Sequence, residues 1–144
     1  MTFQKGNKHG TKWGGRKPTL RSLKDKCWRL FSEYVRRKYS RGRVFGDCYT
    51  CGRTKKWSAL QCGHAIGGRN NAVLFDEEIC RPQCVGCNVF LRGNYSIFTT
   101  KLIKENSMEW WEAKLEGSRR TVKYTQADIE EMIKTYQGKL SDLR

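Results

Sequence analysis

The chain has 144 residues, with 29 Lys and Arg against 14 Asp and Glu, a net charge of +15 at neutral pH. Its 38% apolar content suits one modest core. Seven cysteines fall short of a disulfide-built secreted scaffold, and no apolar run reaches the roughly 20 residues that cross a bilayer. The opening MTFQKGNKHG has no apolar leader segment, so the expectation is a reduced, cytosolic protein whose partner is a polyanion.

The charge is concentrated at the front. Residues 1–43 hold 14 Lys and Arg and two acids, Asp25 and Glu33, a net of +12, which leaves +3 for the rest. Residues 1–18 are rich in Gly, Lys and Arg without periodicity and read as a basic flexible arm suited to lie along phosphates. From Thr19 the pattern turns helical. Leu20, Leu23, Cys27, Leu30 and Tyr34 recur at helical steps, with Thr19 as N-cap and Gly42 as stop, giving a basic amphipathic helix over 19–43. Arg36, Arg37 and Lys38 fall on its basic face, as candidate phosphate contacts.

Residues 44–91 are rich in Gly and Cys, with strand-like runs only at Val44–Phe45, Trp57–Gln61 and Ala65–Ile66. A segment of this kind needs a staple. Phe98, Leu102, Trp110, Trp111 and Leu115 predict a helix end followed by a second helix. Over 125–143, Ile129, Met132, Ile133, Tyr136, Leu140 and Leu143 share one helical face behind a Thr125–Asp128 capping box. The organisation expected is an arm (1–18), a basic helix (19–43), a cysteine module (44–100) and a C-terminal helical region (101–144). The apolar stripes of the first and last helices are candidates either for a homodimer interface or for packing within the chain.

The strongest local signal is Cys48-Tyr-Thr-Cys51 followed, after 32 residues, by Cys84-Val-Gly-Cys87. A C-x-x-C turn sets two thiolates on one side of a tight loop, as tetrahedral zinc requires. Two such pairs in a reduced chain predict one structural zinc held by Cys48, Cys51, Cys84 and Cys87. Gly52 and Gly86 sit where such knuckles use glycine. Cys27, Cys62 and Cys80 read as core residues.

What lies between the pairs resembles a nuclease. Gln61-Cys62-Gly63-His64, a Gly/Arg/Asn loop, Phe75-Asp76-Glu77-Glu78 and Asn88 after the last cysteine are similar in order to the zinc-clamped HNH, or ββα-metal, module. Gly63-His64, Phe75-Asp76-Glu77, Gln83-Cys84-Val85-Gly86-Cys87-Asn88 and Gly93-Asn94, with Tyr124-Thr125 and the ending Tyr136 to Arg144, resemble more specifically one family, the NinG (Rap) recombination nucleases of lambdoid phages. The knuckle followed by Asn is also similar to phage junction resolvases of the endonuclease VII type.

The resemblance implies an α+β fold, a small zinc-stapled ββα-metal (HNH) module flanked by N-terminal and C-terminal helices. It implies His64 as the base that activates water, and Asn88 as a ligand of a catalytic Mg²⁺ or Mn²⁺. The chemistry of the residues agrees: a neutral imidazole takes a proton near pH 7, and a hard ion takes an amide oxygen. Two positions depart from the pattern. Gln61 stands where many relatives have Asp, and Ile79 where the HNH pattern has Asn. Gln61 is then a weaker oxygen ligand, and Asp76, Glu77 or Glu78 is the candidate for the missing carboxylate, with Asp76 carried forward. Arg69 and Arg92 flank the site as candidate phosphate contacts.

The function expected is metal-dependent cleavage of branched recombination DNA, such as Holliday junctions and D-loops, in the bacterial host cytoplasm, alongside phage or host recombination proteins. The alternatives are a non-catalytic zinc-finger DNA-binding protein and an RNA-associated zinc protein.

Overall fold

In the computed structural model, residues 15–143 are described; the expected arm therefore lies, over residues 1–14, outside them. Helix α1 (Leu20–Tyr39) opens behind a Thr19–Ser22 capping box, in which each side chain accepts the other's backbone N–H. It stops at Ser40, two residues before the Gly42 expected to end it. The buried face is Leu23, Cys27, Phe31 and Val35, with Leu30 and Tyr34 only half-buried. The i, i+4 row therefore turns inward one residue beyond the expected stripe.

Two antiparallel hairpins follow. Strands β1 (Phe45–Asp47) and β2 (Thr54–Lys56) pair with Asp47 opposite Thr54, and the first C-x-x-C forms their turn. Strands β3 (Gln61–His64) and β4 (Cys80–Gln83) pair with Gln61 opposite Gln83 and His64 opposite Cys80. The run Trp57–Gln61 is not a strand. Trp57–Ala59 forms one tight 3₁₀ turn, and pairing begins only at Gln61. Ala65–Ile66 lies beyond the end of β3.

Between β3 and β4 lie the single-turn helix α2 (Asn71–Leu74) and a short turn at Glu77–Ile79. After β4 the second C-x-x-C runs into a wide, π-helical turn, Gly86–Phe90. Three helices complete the chain: α3 (Tyr95–Glu105), α4 (Met108–Ser118) and α5 (Gln126–Asp142). The boundary expected at residue 100 falls inside α3, whose Phe98 and Leu102, one turn apart, are both buried. The Thr125–Asp128 capping box opens α5 as expected.

The main core joins α1, the β3–β4 hairpin, α3 and α5 around Phe31, Ile79, Phe98, Leu102 and Ile129. Phe31 meets Phe75 and Tyr136 edge to face, at 5.7 and 5.2 Å between ring centres. The faces of α1 and α5 pack on each other, so both stripes are spent within one copy of the chain. A smaller cluster of Cys48, Leu60, Cys84 and Cys87 stands apart. The fold is α+β, with two small sheets and a cysteine cluster able to hold a metal. No helix among the described residues is long and apolar enough to cross a membrane.

Candidate functional site

The four cysteines of the two C-x-x-C pairs bring their sulfurs within 4.8 Å of one another. Tetrahedral bonds of about 2.3 Å to one zinc set sulfurs roughly 3.8 Å apart, and Cys51 Sγ and Cys84 Sγ stand at 3.7 Å. The local chain supplies what thiolates need. The Cys87 amide donates to Cys84 Sγ at 3.4 Å and Asn94 Nδ2 to Cys87 Sγ at 3.7 Å, while Thr50 Oγ1 lies 3.4 Å from Cys48 Sγ. Burial alone would raise the Cys48 pKa, but hydrogen bonds to its sulfur from the Thr50 hydroxyl and from the backbone of Cys51, Cys84 and Thr50 outweigh it and bring it down to about 6. Cys51 moves the other way, to about 12, through desolvation and its sulfur neighbours. Four thiols this close favour ionisation together only around a cation, and the set fits a structural metal such as zinc. Gly52 takes the left-handed conformation (φ +77°) that the first knuckle needs. Gly86 does not, and a Cβ there would make ordinary contacts, so the second knuckle does not depend on it.

A buried amide ties this cluster to β3. Gln83 is fully enclosed, and its Nε2 donates to Thr50 Oγ1 at 3.1 Å and to the Gly93 carbonyl at 2.8 Å. Its Oε1 has no hydrogen-bond partner and lies against Gly63. A Cβ at residue 63 would fall 2.7 Å from Gln83 Cδ and nearer still to Oε1. The glycine before His64 is therefore dictated by the amide across the hairpin.

His64 ends β3 beneath α1, 9% exposed. Its ring stacks on Trp28, 5.3 Å between centres and 18° from parallel, and the Arg69 guanidinium lies 4.6 Å from the same indole's centre. His64 Nε2 is 3.1 Å from the Leu74 carbonyl oxygen. A carbonyl only accepts, so Nε2–H donates, and the neutral ring carries its lone pair on Nδ1. No described residue bonds Nδ1, and that atom is not among those sealed from solvent. Burial holds the His64 pKa below its ordinary value and Arg69 pushes the same way. The Leu74 carbonyl and the Asp76 charge oppose this without reversing it.

Beside this stack runs an open groove of about 460 Å³ lined by Trp28, Ser32, Arg36, Gln61, Arg69 and Asn88, among others. At its floor Asn88 Nδ2 donates to Gln61 Oε1 at 2.8 Å, which leaves Asn88 Oδ1 free of protein bonds among the described residues. The structure thus pairs Asn88 with Gln61, while Arg36 and Arg69 line the wall. Arg36 is steadied by the Ser32 and Leu60 carbonyls.

Asp76 does not join Gln61 and Asn88. Its carboxylate accepts from Lys114 Nζ at 3.0 Å, caps the Glu78 amide and faces a different groove, against α4. Glu78 is also paired with Lys114, and Glu77 with Lys139 and the Tyr136 hydroxyl. Each candidate carboxylate is thus held by a lysine on α4 or α5. Among the described residues, the four cysteines are the group of His, Cys, Asp and Glu side chains close enough to share an ion. Of the remaining candidates, Arg37 pairs with Glu33 and Lys38 with Glu77, while Arg92 is exposed with a left-handed backbone (φ +50°).

A family model described as the bacteriophage lambda NinG protein matches residues 4–144. The chain belongs to the NinG family. Comparison with curated proteins and with solved structures gives no match.

Sequence reasoning missed Trp28, the Leu74 carbonyl and Gln83 in these roles. Gln83 stood in the motif but carried no signal of its clamp, and Trp28 reaches His64 across 36 positions of sequence.

Proposed function

We propose that this NinG-family chain is a metal-dependent endonuclease that cuts branched DNA of phage recombination, with His64 activating the attacking water. The β3–β4 hairpin and the wide turn after it are then a variant ββα-metal module. The observation that carries the reading is the tautomer of His64. The Leu74 carbonyl takes the Nε2 proton and leaves Nδ1 as the base, while Trp28, on which the ring stacks, lines the basic groove with Arg36 and Arg69. The lowered pKa keeps that base unprotonated at neutral pH. Arg36 and Arg69 are placed to grip phosphate oxygens. Asn88 Oδ1, fixed one residue after a knuckle cysteine, is the oxygen that would hold a divalent ion, with Gln61 orienting it. When bound, such an ion would neutralise the charge that develops on the scissile phosphate and its leaving oxygen. The groove offers neutral amides and no carboxylate, so the remaining ligands must come from DNA phosphates and water.

That same absence of a carboxylate, with the burial of His64, favours a second reading, a zinc-stapled DNA-binding protein without cleavage. A labelled four-way junction and its matched duplex, incubated with Mg²⁺ or Mn²⁺, separate the two. The nuclease reading expects nicks near the branch that disappear in His64→Ala while binding persists. Binding without cleavage under either ion selects the second reading.

A further inference from the structure

We infer that the turn Val89-Phe90-Leu91 is a wedge that stacks against unpaired or unstacked nucleobases at a DNA branch; this rests on the reading of the chain as a branched-DNA protein. Phe90 is 79% exposed and Leu91 60%, Val89 beside them is exposed as well, and Val85, Tyr95 and Ile97 are further exposed apolar residues of the same stretch of chain. Single exposed apolar residues are ordinary, but a run of three at the tip of a turn is not.

The turn is held outward by its own backbone. The Asn88 amide donates to Cys84 O, Leu91 to Gly86 O, Gly93 to Cys87 O and Asn94 to Leu91 O, each at 2.9 Å. Two of those carbonyls belong to knuckle cysteines, so the metal cluster fixes the base of the turn. The aromatic ring is thus presented by a rigid support, at little entropic cost on contact.

Charge points to the occupant. From Ile79 to Lys104 the sequence has no acidic residue; Arg81 is buried and paired with Glu105, but the exposed Arg92 directly follows Leu91, and Lys101 and Lys104 are exposed on α3. Such a rim suits a polyanion better than a second copy of a +15 chain. Position narrows it further. Phe90 is two residues from Asn88, roughly 7 Å of chain at most. Against the ~3.4 Å rise of one strand, Phe90 would sit within two or three base steps of a phosphate gripped beside Asn88. Inserting a wedge into continuous duplex costs a few kcal/mol of unstacking. At a branch point stacking is already interrupted, so the same wedge discriminates in favour of the branch.

The test uses the full zinc-loaded chain with Ca²⁺ as the divalent ion. Four-way junctions carry 2-aminopurine either at the crossover or far along one arm. The wild-type chain is expected to brighten the crossover probe and not the arm probe. Phe90→Ala is expected to lose that signal and to weaken junction binding roughly ten- to hundredfold, the scale of one stacked base, with duplex affinity unchanged. Phe90→Trp is expected to keep both. An unchanged junction-to-duplex ratio in Phe90→Ala overturns the wedge. So does a wild-type self-association, seen by light scattering, that Phe90→Ala abolishes while the crossover signal stays. If the wild type brightens the crossover in Ca²⁺ yet never cuts in Mg²⁺ or Mn²⁺, the wedge stands and the nuclease reading fails. If it binds no DNA, both fail.

Discussion

Gly63→Ala tests the link between the cysteine cluster and the strand that carries His64. Gly63 is not among the residues with positive φ, so alanine is allowed by the backbone, and elsewhere such a change would stabilise slightly. Here the new methyl overlaps the Gln83 amide, whose oxygen end is enclosed. To clear it, the amide must swing away from Thr50 Oγ1 and from the Gly93 carbonyl. Two hydrogen bonds are worth about 1 kcal/mol each, and a buried carbonyl left alone adds about 1–3. Less the up to about 1 kcal/mol that Gly→Ala gains through the unfolded chain, the expected loss is about 2–4 kcal/mol, read by urea denaturation of the zinc-loaded chain. Gln83→Ala gives up the same two bonds and makes room for the methyl. The double variant should therefore cost little more than Gln83→Ala alone, a coupling as large as the Gly63→Ala loss itself. Additivity within about 0.5 kcal/mol would show that Gly63 and Gln83 do not constrain each other and would refute the clamp.

Removing the metal with a chelator, or changing Cys84 to Ser, should loosen the knuckle segments but leave the α1–α5 core folded. Hydrogen exchange should then rise over 48–60 and 84–94 while far-UV helicity holds, and a full loss of helicity would contradict two separate clusters. His64, with its pKa below the ordinary value of 6.5, should keep any cleavage rate flat as pH falls through 6.5, with the decline only at lower pH; a midpoint at 6.5 or above argues against His64 as the base. The sign for stability is the same. The unfolded chain binds the proton first, so stability is full above about 6.5 and is lost as pH falls toward the depressed folded value. Phe31→Ala empties a fully enclosed site between Phe75 and Tyr136 and should cost about 3–5 kcal/mol by thermal or urea denaturation.

The parts of the fold legible from sequence are those written in local spacing. The capping box at Thr125 and the periodicity behind it give α5 almost to the residue, and Thr19 likewise opens α1. Where two apolar residues stand side by side, as at Leu30-Phe31 and Tyr34-Val35, periodicity alone cannot choose between them. The partner decides, and α5 meets Phe31 through Tyr136. Trp57–Gln61 looks like a strand because its aromatic and apolar residues favour one. Yet Leu60 N–H closes back onto the Trp57 carbonyl, and the turn wins. Asp76, Glu77 and Glu78 could not be assigned because their partners, Lys114 and Lys139, come from helices tens of residues further on.

Asn88 takes its place from the metal cluster, through the bond of its own amide to Cys84 O. His64 takes its place from the main core, through Trp28 and Leu74. Among the joints between the two supports are the Asn88–Gln61 bond, the Gln83 amide, the Tyr49 N–H donating to Pro82 O at 2.8 Å and Arg36 donating to the Leu60 carbonyl at 3.4 Å. A base and an ion-holding oxygen act on one phosphodiester only if their separation is fixed to a fraction of an ångström. Damage to a joint, by Gly63→Ala or by loss of the metal, should therefore reduce cleavage even in the molecules that remain folded. A core lesion away from His64, such as Ile129→Ala on α5, should do the reverse, lowering stability while the molecules that remain folded cut at close to the wild-type rate.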